Sequence, residues 1–233
     1  MTFSVVIPTL NEAESLPGTL SAALRAQARA AALGHVVDVV VSDGGSTDAT
    51  CALARTAGLC VVSGAPGRGR QMAAGIQATE GDVVVLVHAD TWLPETAFVA
   101  MAEALQRPQV MGGGFRKRFR DGPALLRFGA GLRSALFFRV TGRLFGDQAI
   151  FVRRSALEAA GGMPEWPLME DFELCRRLRT VGRLTLLRDE VWTSGRRFSE
   201  QGTIRMWCRM ATVMWGHARG ATPEESLQRY QGR

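Results

Sequence analysis

Apolar residues along this chain fall into two rhythms. Short, nearly unbroken runs of β-branched residues alternate with longer segments in which apolar positions recur at helical spacing. The runs predict strands buried on both faces, and the spaced segments predict helices that cover them. Phe3 to Ile7 is the first run, closed by Pro8-Thr9. From Asn11-Glu12 an Ala- and Leu-rich segment predicts a helix to about Ala32, ended by Gly34. Val36 to Val41 is the second run and leads into Ser42-Asp43-Gly44-Gly45-Ser46-Thr47-Asp48, where Ser46 or Thr47 is placed to cap a helix reaching about Ala57. Leu59 to Val62 predicts a third strand. A glycine-rich basic loop, Gly64 to Arg70, then precedes a helix from Gln71 to Thr79. Val83 to Val87 is the fourth strand, and the chain is organised around it because it ends in His88-Ala89-Asp90.

Glu95 to about Leu105 predicts a helix, and Gly112-Gly113-Gly114-Phe115 a strand followed by the basic run Arg116 to Arg120. Leu125 to Val140 is apolar except for Arg127, Arg133, Ser134 and Arg139, an amphipathic helix with a broad apolar face. Asp147 to Val152 predicts a strand, Arg154 to Ala160 a helix, and Gly161 to Pro164 a loop. Glu170-Asp171 open a helix to about Val181, Arg183 to Leu187 is extended, and Ile204 to Arg219 is a terminal helix. No repeat, linker or low-complexity tract divides the chain. The βα alternation with short connections predicts a single α/β domain with a mostly parallel, doubly wound sheet. Its loops after strands one to four emerge on one edge, where ligands collect in such sheets, so His88 and Asp90 are expected in a cleft.

Composition narrows the class. At 233 residues and 46% hydrophobic the chain can bury a substantial core. Its apolar runs fall well short of the roughly 20 residues that span a bilayer, and no basic stretch precedes the first strand, so a soluble, cytoplasmic protein is expected, with peripheral contact at the inner membrane face left open. Cys51, Cys60, Cys175 and Cys208 form neither a CxxC pair nor a zinc knuckle, and buried free thiols are expected. A net charge of +6 points to a negatively charged partner. Nucleic acid is a poor fit, because the arginines are not interleaved with an aromatic platform.

Two nucleotide-binding motifs are disfavoured by the residues at their positions. The loop after the first strand, Pro8 to Glu12, has no glycine, so a dinucleotide fingerprint is missing. Gly64 to Gly69 has the glycine spacing of a P-loop without its Lys and Ser/Thr. The polar loops still outline a nucleotide pocket: Asn11 and Glu12, then Asp43, then Arg68 and Arg70, then Asp90. An Asp at a strand end offers hard oxygen to a divalent ion, and a His offers a borderline nitrogen. For Glu170-Asp171 the plain alternative is that acidic residues favour the first turn of a helix.

Taken in order, Val6 to Glu12, Ser42 to Asp48, His88-Ala89-Asp90 and Met169-Glu170-Asp171 resemble glycosyltransferase family 2, the inverting GT-A enzymes. The pattern is similar to the small soluble subgroup labelled radical-SAM/selenodomain-associated transferase 2, over residues 1 to about 200. The resemblance implies a GT-A fold, with residues 1–94 as the nucleotide-sugar half, 95–200 as the acceptor and catalytic half, and 201–233 as C-terminal helices. It implies that Pro8, Thr9, Glu12 and Asp43 line the nucleoside pocket, with Asp43 accepting from the base or ribose, and that Arg68 lies near the base or diphosphate. It places Asp90 at the last Asp of the DxD motif, which holds Mg²⁺ or Mn²⁺ against the diphosphate. Asp171 falls on the general base of the family's ED motif, with Glu170 beside it.

Such roles suit the chemistry. A sugar leaving a nucleoside diphosphate needs its developing charge neutralised, and the acceptor hydroxyl needs a carboxylate within hydrogen-bond reach. His88 stands where the family commonly has Asp and could bind metal, donate to a phosphate or hydrogen-bond in the cleft. An indirect role is expected of it, and a softened metal site opens either weaker metal dependence or a greater share of the diphosphate's charge for Arg68 and Arg70. Arg196-Arg197 are either a clamp on the diphosphate or a solvated basic turn. His217 is either a late metal ligand or, as a lone helical His usually is, structural. The resulting expectation is a metal-assisted inverting transferase that takes a UDP- or GDP-linked donor and an acceptor that is lipid-linked or otherwise. One rival is a sugar-phosphate nucleotidyltransferase, disfavoured by the glycine-free first loop. Another is a non-catalytic membrane-surface or scaffold module working through Leu125 to Val140 and the C-terminal helix.

Overall fold

A computed structural model describes residues 1–231. Its strands are β1 (Thr2–Thr9), β2 (Val36–Asp43), β3 (Cys60–Ser63), β4 (Val83–Leu86), β5 (Val110–Phe119), β6 (Ile150–Arg153) and β7 (Arg183–Thr193). They form one sheet in the order β3-β2-β1-β4-β6-β5-β7. β1 to β4 are parallel, β6 is antiparallel to both β4 and β5, and β5 pairs in parallel with β7. With β6 alone reversed, six strands bring their carboxyl ends to one edge.

Helices cover both faces. Those preceding β5 are α1 (Leu16–Ala31), α2 (Thr50–Thr56), α3 (Arg68–Gln77) and α4 (Ala97–Leu105). After it come α5 (Ala124–Arg127), α6 (Ala130–Thr141), α7 (Arg154–Ala159), α8 (Glu170–Val181), α9 (Arg196–Gln201), α10 (Thr203–Ala218) and α11 (Pro223–Gln231). Successive strand residues point to opposite faces. Phe3, Val5 and Ile7 of β1 and Val83 and Val85 of β4 therefore join one core with α1, α2 and α4. Val6, Val84 and Leu86 join a second core with α3, α7 and α8. Residues such as Phe3, Phe98 and Phe151 are fully buried, each worth about 1.5–3 kcal/mol of transfer free energy.

Several boundaries differ from the sequence-based expectation, each for a local reason. α1 begins at Leu16 with Pro17 in its first turn, and Asn11 instead takes a left-handed backbone, φ +54°. Ser46 and Thr47 do not cap α2; the Thr50 N–H finds Asp48 Oδ1 at 2.9 Å. β5 extends through the basic run because it continues pairing with β7 as far as Phe119 and Thr193. Leu125 to Val140 is not one helix, since Gly129 at φ +66° separates α5 from α6. Asp147 lies in a short 3-10 turn, Gly146–Gln148, ahead of β6. Only Cys175 is a buried thiol, its pKa pushed up to about 12 by that burial. Cys60 on the edge strand β3 and Cys208 on α10 are exposed, and Cys51 is half-buried, which corrects the expectation of four buried thiols. Among the described residues no helix is long and apolar enough to cross a membrane.

Candidate active site

The loops after β1 and β2 are stitched to each other. Asp43, at the end of β2 and 2% exposed, accepts at Oδ1 from Thr9 Oγ1 at 3.0 Å and from the Ser46 hydroxyl. Its Oδ2 accepts from the N–H groups of Gly45 at 2.9 Å and Ser46 at 2.8 Å. Burial pushes its pKa up, but the hydrogen bonds from Ser46, Gly45 and Thr9 outweigh that and hold it below the ordinary value. Ser46 Oγ accepts from the Asn11 N–H at 2.8 Å, and Asn11 Oδ1 accepts from the Thr47 N–H at 2.9 Å. The Glu12 N–H donates to Thr50 Oγ1 at 2.8 Å. Much of the polar motif at 42–50 therefore satisfies loop backbone, with Pro8 and Thr9 buried at its base. Gln71 of α3 seals the floor by donating to the carbonyls of Thr9 and, at 3.2 Å, Ser42. Sequence patterning missed Gln71, since a Gln inside a helix carries no positional signal.

A second group lies beyond β4. Asp90 is half-buried, and its pKa is raised by that burial and by the nearby charge of Asp147, with Arg197 and Arg120 opposing. Arg120 Nη1 donates to the Asp90 carbonyl at 2.7 Å, and its guanidinium stacks 4.0 Å from the Trp92 ring. Asp147 pairs with Lys117 at 2.8 Å. Glu12 faces the same corner, with its pKa raised by burial and by Asp90 and lowered by Arg197 and Arg196. Lys117, Arg120 and Asp147 were not singled out from sequence. The signal was present, since on a strand the run Arg116 to Arg120 alternates faces, and Lys117 and Phe119 fall on the same side.

The third group centres on α8. Asp171 Oδ2 accepts from the Gly146 N–H at 2.7 Å and Oδ1 from the Phe172 N–H at 2.8 Å. Burial and the Glu170 charge push its pKa to about 7, against Arg68 and those two N–H donors. Glu170 is fully buried and forms a bidentate ion pair with Arg68. Met169, just before this helix, is held at φ +64°, and Ala149 beside β6 at φ +49°. With Asn11, all three non-glycine left-handed residues among those described flank the cleft, as backbone strain at functional sites commonly does. His88 lies against Gly146, where a Cβ would collide with its ring. Its Nε2 is buried without a hydrogen-bond partner, and burial, then Arg68, Arg197 and Lys117, hold its pKa well below the ordinary value, so the ring is neutral.

The remaining candidates separate. Arg68 is committed to Glu170 and is not a free phosphate ligand. Arg70 is exposed, Arg196 pairs with Glu14 at 2.8 Å, and Arg197 is the arginine whose charge reaches Glu12, Asp90 and His88. His217 packs 5.9 Å from the Trp166 ring and 6.5 Å from Phe172. Among the described residues no cluster of three His, Cys, Asp or Glu side chains forms a metal cage. The Asp90 corner nonetheless suits a divalent cation shared with a phosphorylated ligand. Such an ion needs only one or two carboxylates when phosphate oxygens and water complete its shell, and it would relieve the strain between Asp90 and Asp147.

Comparison with known proteins follows this geometry. The family described as Glycosyl transferase family 2 matches residues 4–153. An undecaprenyl-phosphate 4-deoxy-4-formamido-L-arabinose transferase of Pseudomonas paraeruginosa is 32% identical over 167 residues, 67% of this chain and 48% of that protein. A glucosyl-3-phosphoglycerate synthase of Mycolicibacterium smegmatis is 36% identical over 108 residues, 42% of this chain and 34% of that protein. The chain thus spans about half or less of these relatives. Among solved structures, glucosyl-3-phosphoglycerate synthase from Mycobacterium tuberculosis in complex with Mn²⁺, UDP and phosphoglyceric acid superposes with a TM-score of 0.64 and 21% identity. That match covers 95% of this chain and 79% of the other and identifies the fold as GT-A.

Proposed function

The chain belongs to glycosyl transferase family 2, and from that premise we propose that it is an inverting glycosyltransferase with Asp171 as its general base. The donor is a nucleoside diphosphate sugar, UDP- or GDP-linked, lying across the carboxyl edge of the sheet. The observation that carries the assignment is the setting of Asp171. It is a carboxyl group held by the Gly146 and Phe172 N–H groups, with a proton affinity raised to about 7 beside the ion pair of half-buried Arg68 with buried Glu170. A base with that affinity titrates near neutral pH and takes up a proton readily as the bond forms.

In the proposed step the acceptor oxygen attacks the anomeric carbon opposite the diphosphate. Asp171 takes the hydroxyl proton, the bond from the anomeric carbon to the diphosphate oxygen breaks, and its electron pair leaves with the diphosphate. Configuration at the anomeric carbon inverts. Arg197 and Lys117 meet the leaving charge from the protein side. A Mg²⁺ or Mn²⁺ ion held by Asp90 and the diphosphate would supply further neutralisation when bound. His88 contributes as a neutral wall beside Gly146. Asp43, with four acceptor positions filled, shapes the nucleoside pocket that Pro8, Thr9 and Glu12 border. Glu170 and Arg68 act together as a fixed support for the base. The P. paraeruginosa relative, named for undecaprenyl phosphate, supports a lipid-linked acceptor.

The test is Asp171→Asn. Release of UDP or GDP from nucleotide sugars should fall by about a hundred- to ten-thousandfold, the usual worth of a positioned base. Calorimetric binding of the nucleotide should stay within a few-fold of wild type. Near-normal turnover in this variant would remove Asp171 from the role.

A further inference from the structure

α6 presents an apolar ridge to solvent. Phe128 just before it is 85% exposed, and Leu132, Leu136 and Val140 are 75%, 60% and 76% exposed, although the same helix buries Ala130 and Ser134. At about 100° per residue, Leu132, Leu136 and Val140 fall within roughly an 80° arc, with Arg139 on one edge and Arg133 on the other. α10 carries a matching stripe at helical spacing, Ile204, Cys208, Ala211 and Trp215, of which Ile204 is 68% and Trp215 58% exposed. The two helices adjoin, since the Arg133 guanidinium sits 5.6 Å from the Trp207 ring. Single exposed apolar residues are ordinary, but a ridge repeated on two neighbouring helices is not.

Charge selects the partner. Residues 122–146 contain four arginines and residues 201–223 three, and neither segment has any Asp or Glu. Two copies of this face brought together would oppose arginine to arginine, which argues against a homodimer. An anionic lipid surface satisfies both features. Apolar side chains enter the boundary between headgroups and acyl chains, while flanking arginines extend their stems outward and keep their guanidinium groups among phosphates.

We propose that the α6–α10 face docks this protein on an anionic lipid bilayer. Docking there also bears on the acceptor, a step that rests on the transferase assignment above. α6 runs through Arg143 to Phe145 directly into Gly146, whose N–H holds Asp171. A polar acceptor group tethered to a membrane lipid would thus rise from the docked face toward the base.

The experiment is flotation of the whole protein with vesicles of phosphatidylglycerol and phosphatidylcholine, against pure phosphatidylcholine, with UDP and GDP calorimetry in parallel. Two variants are compared with wild type: Leu132→Ser/Leu136→Ser/Val140→Ser, which alters exposed positions alone, and Arg127→Glu/Arg139→Glu. Wild type should float with the anionic vesicles and less so as salt rises. Each variant should lose about tenfold or more in partitioning while keeping wild-type nucleotide binding and thermal melting. The proposal is overturned by a wild type that stays unbound, by flotation equal in wild type and both variants, or by a wild-type dimer that the triple variant makes monomeric. Intact flotation with no nucleotide binding would sink the transferase assignment and leave the docking surface standing.

Discussion

A carboxyl group placed as Asp171 is keeps its proton until near neutrality, because burial and Glu170 disfavour a second negative charge more than Arg68 and two N–H groups favour it. Catalysis by the ionised form then has a defined pH dependence. Below about pH 7 the rate constant of the chemical step should rise tenfold per pH unit, and above it should level off, as read from single-turnover rates at saturating donor. A profile flat from pH 5 to 8 would contradict the assignment. Asp43 shows the opposite sign. Its folded-state pKa is depressed, so its contribution to stability is present above the unfolded value and disappears as pH falls through the folded one. Asp43→Asn places an amide N–H against protein donors. It should cost about 1–3 kcal/mol in urea unfolding at pH 7, the scale for leaving buried hydrogen-bonding groups unmatched. The gap should narrow in strong acid, where wild type loses the same charge.

Among the elements, the α5–α6 break shows where periodicity stops being informative. Leu125, Leu126, Phe128 and Leu132 keep helical spacing across Gly129, so the apolar pattern alone predicts one helix. The turn is a backbone event, a left-handed residue at φ +66° that only glycine adopts without penalty. Gly129→Ala would meet Arg133 Nη1 at an ordinary 3.6 Å, so its cost is conformational and not steric. The urea midpoint should drop by the equivalent of about 1–2 kcal/mol with an unchanged slope. No loss would mean that the segment can run straight. β5 teaches the complementary lesson. Its basic run Arg116 to Arg120 looks like a loop by composition, yet pairing with β7 makes it a strand and delivers Lys117 to Asp147.

For the whole molecule, the sheet explains both what was legible in the sequence and what was not. Parallel order is written in alternating runs and helices, so the edge to which residues 8–12, 42–48 and 88–90 converge followed from pattern alone. The side-chain partners did not. That Arg68 is spent on Glu170, that Asp43 has no free acceptor position, and that Gln71 seals the floor all depend on distances across strands and helices. Those distances leave one acidic corner, where Asp90 raises the proton affinity of Glu12 and Asp147 raises that of Asp90, with Arg197 and Lys117 as its cationic counterweights. A nucleoside diphosphate entering there brings more negative charge, which Asp90 resists unless a cation comes with it. Calorimetry of UDP and GDP with and without Mn²⁺ should therefore show at least about tenfold tighter binding of one nucleotide with metal, equivalent to roughly 1.4 kcal/mol. Asp90→Asn should abolish that increment while sparing or improving the metal-free affinity, because it removes a charge that opposes the diphosphate. Arg197→Gln should weaken binding in both conditions. If Asp90→Asn retained the full response to Mn²⁺, the cation would have to sit elsewhere, and the leaving charge would fall to the arginine and lysine alone.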